Sequence, residues 1–120
     1  MNIVALVLVG LVAALHAYFL VLEMFLWTAP RTRAAFGTTA EFAQASKALA
    51  ANQGLYNGFL AAGLVYGMLA GDPVGFAMRV FFVVCVIVAG VYGAATASRR
   101  ILLVQALPGA LALAAVVIAH

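Results

Sequence analysis

Four long stretches almost free of charge limit what this chain can fold into. From Asn2 to Thr28 the only acidic, basic or imidazole side chains are His16 and Glu23. The stretches Ala48 to Ala70, Val80 to Ala97 and Ile101 to Ala119 contain none. Each run approaches the roughly 20 apolar residues that a helix needs to cross a bilayer. Composition agrees: the 120 residues are 68% hydrophobic and 8% charged. A soluble domain is about 25% charged, so this chain has too little polar surface to cover a water-soluble globule. Disorder and coiled coil are excluded on the same ground. The single cysteine rules out a disulfide framework and a cysteine-based metal site. The net charge of +3 comes from six scattered cations, which are no footprint for nucleic acid.

The expected fold is all-α: one domain over residues 1–120, an integral membrane four-helix up-down bundle. Its helices fall at about 2–28, 39–70, 76–98 and 100–119. The short turns at Gly71–Pro73 and Ser98–Arg100 force antiparallel neighbours. Thr38-Thr39-Ala40-Glu41 fits a capping box with Thr38 as N-cap. A helix starting there and running unbroken to Ala70 is about 48 Å long, against a bilayer core of about 30 Å. Pro108-Gly109 predicts a kink in the last helix. Trp27 sits where an interfacial anchor belongs. Glycine and alanine recur at four-residue spacing (Gly54 and Gly58; Ala89, Gly93 and Ala97), which suits close helix packing and association into a homo-oligomer.

Charge sets the orientation. The loop Pro30–Lys47 and the turn Ser98–Arg100 carry Arg31, Arg33, Lys47, Arg99 and Arg100. The opposite side carries only Arg79. The positive-inside bias puts both loops in the cytoplasm and both termini outside.

Polar residues within the runs are the candidates for function, because they are costly in hydrocarbon. Depth follows from counting inward from the cytoplasmic ends at about 1.5 Å per residue. Glu23 and Gln105 lie about 8 Å deep, Tyr92 about 10 Å, and Asn52, Gln53, Tyr56 and Asn57 about 8–15 Å. His16 shares a helical face with Glu23, seven residues away, and lies slightly past the midplane. One polar face per helix at one level describes a pocket open to the cytoplasm. Each residue also has a plainer reading. Glu23 can be a structural carboxyl, His16 can bond a carbonyl, and the second-run cluster can be interhelical glue. Tyr92 and Gln105 divide evenly between the two readings. Cys85 reads as a small core residue.

Several chemistries are excluded. His16 and Glu23 are about 10.5 Å apart along one helix, too far to share a metal. No zinc-protease or paired-cysteine motif is present. No nucleophile sits beside a base at a plausible depth. No cofactor is expected.

The strings HAYFLVLEMFLWTAP (16–30), ALAANQGLYNGFLAAGL (48–64) and GVYGAATASRRILLVQALPGALAL (90–113) resemble a bacterial membrane-protein family, domain of unknown function 1304. The resemblance implies a small four-helix membrane protein and no particular activity. It also suggests Glu23, Asn52, Gln53, Tyr56, Asn57 and Gln105 as family features. A single glutamate in the first helix is similar to the small multidrug resistance transporters. The expected function is binding, or acting on, a small amphipathic molecule from the cytoplasmic side, with membrane lipid around the protein. A proton-coupled exporter using Glu23 and a structural or assembly subunit are the alternatives. A transporter usually holds its site near the midplane, and this polar layer is off-centre.

Overall fold

The computed structural model describes residues 1–120 and is all-helical, with no strand. The helices are α1 (Ile3–Met24), α2 (Pro30–Phe36), α3 (Ala40–Ala45), α4 (Lys47–Leu69), α5 (Val74–Thr96) and α6 (Leu107–Ala119). A π-helical turn, Leu102–Ala106, leads into α6. Three segments are long and apolar enough to cross a membrane: Ile3–Met24, Val74–Thr96 and Leu102–Ala119. Helix α4 is as long as α5, at 23 residues, but Asn52, Gln53, Tyr56 and Asn57 make it less apolar. The chain packs as two compact units, Leu15–Phe59 and Met1–Ala14 with Leu60–His120.

In the unit made of Met1–Ala14 and Leu60–His120, the core is Ala5, Val9, Val12, Ala13, Leu64, Val83, Val86, Ala112 and Val116. Apart from Leu64, these side chains are alanine or the β-branched valine, so backbones approach closely where lipid supplies no hydrophobic push. Gly90 marks the tightest approach between α5 and the π turn. A Cβ there would lie 2.7 Å from the Ala106 backbone nitrogen. At the Gly71–Pro73 turn, Asp72 Oδ1 accepts from the Phe76 backbone N–H at 3.0 Å and from Arg79 Nη2 at 3.2 Å. Arg79 Nη1 donates to the Gly67 carbonyl at 2.7 Å. Arg79 is therefore buried, 4% exposed, and paired.

In the unit Leu15–Phe59, the loop after α1 is more structured than the sequence suggests. Pro30 holds Ala29 in extended backbone (φ −65°, ψ 142°) and takes a first-turn position of α2, where its missing N–H costs nothing. The chain reverses at Gly37, whose φ of 70° is left-handed. The backbone N–H groups of Gly37 and Thr38 both donate to the Arg33 carbonyl, closing α2. Thr38 is thus committed to the end of α2, and Thr39 caps α3 instead, its Oγ1 accepting from the Phe42 N–H at 3.1 Å. Glu41 sits one place too early to close the reciprocal half of a capping box. The expected unbroken helix to Ala70 is interrupted at Ser46 (φ −96°, ψ 5°). There the Ser46 hydroxyl donates to the Phe42 carbonyl at 2.7 Å and accepts from Trp27 Nε1 at 3.1 Å. The Phe42 carbonyl also keeps its regular bond from the Ser46 backbone N–H at 2.9 Å, so it accepts twice from this residue. The Trp27 ring also meets Phe36 edge-on, with centroids 5.0 Å apart.

The kink expected at Pro108 takes the form of the π turn. Proline lacks the N–H that a regular helix would use. The wider turn closes earlier, with the Leu107 N–H donating to the Leu102 carbonyl.

Candidate functional site

Glu23 lies on the last turn of α1 and is 2% exposed. A buried carboxyl group is costly unless its oxygens are hydrogen-bonded. Helix α4 meets this need. Gln53 Nε2 donates to Glu23 Oε2 at 2.6 Å, and Asn57 Nδ2 donates to Oε1 at 2.5 Å. Gln53 and Asn57 are four residues apart, so they stand one above the other on one helix face. Two glycines bring the backbones near enough for such short side chains to reach. A Cβ on Gly54 would lie 2.8 Å from Met24 Cγ and 3.0 Å from Glu23 Cβ. One on Gly58 would lie 2.6 Å from Leu20 Cδ1. No cation pairs with Glu23, since the ion pair in the chain joins Arg79 to Asp72. The carboxyl group is therefore held by neutral amides alone. Gln53 is the exposed member of the trio, while Asn57 is half-buried.

The other candidates fall elsewhere. His16 is fully buried on α1, its ring edge against Phe19 with centroids 5.4 Å apart. Asn52 is exposed, and Tyr56 is 59% exposed. Neither makes a hydrogen bond to the carboxyl group. The Tyr56 ring instead stands edge-on to Phe59. Tyr92 on α5 is 71% exposed, and Gln105 on the π turn is half-buried. Both belong to the other unit. An open apolar groove of about 370 Å³ in that unit is lined by Asn2, Val4, Leu8, Leu111, Ala115 and Ile118. None of the candidate residues lines it.

Two polar arrangements have weaker sequence signals. Asp72, in the turn just before α5, and Arg79, on its second turn, are seven residues apart, and the carboxylate reaches the guanidinium at 3.2 Å. The Trp27–Ser46 bond joins residues 19 apart across two short helices, and no local pattern announces it.

Comparison with known proteins gives a family and no activity. Residues 10–117 match the family described as "Protein of unknown function (DUF1304)". The chain is 31% identical over 119 residues to the "Uncharacterized protein YpaA" of Lactococcus lactis subsp. lactis (strain IL1403), covering 98% of this chain and 97% of that protein. No solved structure matches.

Proposed function

The chain belongs to the DUF1304 family of proteins of unknown function, and we propose that it is a membrane protein that binds, or acts on, a small amphipathic molecule from the cytoplasmic side. In this reading α1, α4, α5 and the segment Leu102–Ala119 cross a bacterial inner membrane as a four-helix up-down bundle. The loop Pro30–Lys47 and the turn Ser98–Arg100 face the cytoplasm, and both termini lie outside. The cation count supports that orientation. Five cations stand on the cytoplasmic side, and the single opposing one, Arg79, is neutralised by Asp72.

The observation that carries the reading is the Glu23 carboxyl group, buried and bonded only to neutral amides. A polar head with its own donors competes with the exposed Gln53 amide at Oε2 and leaves the Asn57 bond intact. An apolar body then rests on the hydrocarbon-lined helices, a combination usual in ligand sites. The test is native mass spectrometry of the protein released from membranes, looking for a small molecule retained on it. Losing one buried hydrogen bond costs about 1–3 kcal/mol, roughly 5–150-fold in affinity. Glu23→Gln and Asn57→Ala should lose the adduct, and Cys85→Ala should keep it.

A second reading has one observation in its favour: both carboxyl oxygens already have partners within the chain. The trio is then a helix–helix clamp in a structural subunit. Variants that keep full occupancy and lose only thermal stability would establish the clamp and overturn the ligand site.

A further inference from the structure

Helix α4 has a second polar face that the Glu23 trio does not use. Leu49, Asn52, Tyr56 and Phe59 are spaced three, four and three residues apart. At about 100° per residue they fall within an arc of about 80°. Gly54 and Gly58, which meet α1, lie on roughly the opposite side of the helix. All four stripe residues are exposed, Leu49 at 77%, Tyr56 at 59% and Phe59 at 53%. Neither the Asn52 amide nor the Tyr56 hydroxyl has a hydrogen bond within the chain.

This three–four spacing is that of a helix–helix seam. Its chemistry selects the occupant. Lipid tails offer nothing to an amide, and an unbonded amide in hydrocarbon is costly. An asparagine side chain carries both donor and acceptor, so two copies related by a two-fold axis satisfy each other at the same depth. A lone asparagine in an apolar seam is also a known way of fixing register and partner number. We propose that the Leu49–Asn52–Tyr56–Phe59 stripe of α4 is the surface through which two copies of this chain associate, with the Asn52 amides paired across the axis. The proposal rests on the reading that α4 crosses the membrane. Both copies share one orientation, so the axis runs along the membrane normal and the two α4 helices are parallel.

The test is disulfide trapping in native membranes, using the full chain in a Cys85→Ala background. Leu49→Cys and Phe59→Cys, each alone, should give a band of twice the chain mass on oxidation. Leu103→Cys, 69% exposed on the π turn, should stay monomeric. In nanodiscs, Asn52→Ala should weaken association about three- to thirty-fold, and Asn52→Gln, which keeps the amide, should largely restore it. Trapping no stronger than at Leu103 overturns the proposal, as does equal association of Asn52→Ala and the parent chain. Either result leaves the stripe facing lipid or another protein. Thiol labelling of Ala34→Cys and Gly71→Cys separates the two failures. Labels reacting from opposite sides without trapping reject only this interface. Labels reacting from one side reject the crossing of α4 and the interface with it.

Discussion

Glu23 is a liability made tolerable by two amides and two glycines. Removing the carboxyl group takes the acceptor from the half-buried Asn57 amide, at about 1–3 kcal/mol, and from the exposed Gln53 amide at less. Glu23→Ala should therefore lower the unfolding midpoint in detergent well below that of Glu23→Gln, which keeps polar atoms within reach. Gly54→Val tests the same geometry from the other side. Its Cβ alone would stand 2.8 Å from Met24 Cγ, and overpacking of that kind costs about 1–3 kcal/mol. Equal midpoints for Gly54→Val and the parent chain would contradict the close approach. Counting along the runs suffices to place Glu23, Gln53 and Asn57 at one level. It does not separate them from Asn52 and Tyr56, because four polar residues spread around the helix allow several rotations. The rotation is decided by Gly54 and Gly58, which have to face α1. Their spacing is visible in the sequence, but the helix they meet is not.

At the scale of elements, the apolar runs were legible as helices because charge and turn residues bound them on both sides. The ends were less so. The loop from Phe25 to Ser46 folds into two short helices through bonds between distant residues: Trp27 to Ser46, and Trp27 against Phe36. A capping pattern was visible at Thr38–Glu41, but the left-handed turn at Gly37 moved the cap by one residue to Thr39. Ser46 carries the break between α3 and α4, and Trp27 is the only tryptophan. Ser46→Ala should therefore change Trp27 fluorescence by removing the acceptor of its N–H. An unchanged emission spectrum would mean that Trp27 does not depend on Ser46.

For the whole molecule, the number of crossings decides how everything else is read. Three segments are apolar enough to span a bilayer by length and composition. The fourth candidate, α4, carries the polar residues that give the chain its proposed function. Two of the polar groups that weaken its membrane signal, Gln53 and Asn57, are those that pair with Glu23. On the proposed four crossings, Arg31, Arg33, Lys47, Arg99 and Arg100 share one side, which the positive-inside bias makes cytoplasmic, with the Asp72–Arg79 pair opposite. The direct test uses two single cysteines in a Cys85→Ala background. One replaces Ala34, exposed on α2. The other replaces Gly71, where an added side chain meets open space. A membrane-impermeant maleimide applied to intact cells should label the Gly71 position and spare Ala34, and inverted vesicles should show the reverse. Labelling of both positions from the same side would contradict the four-crossing account.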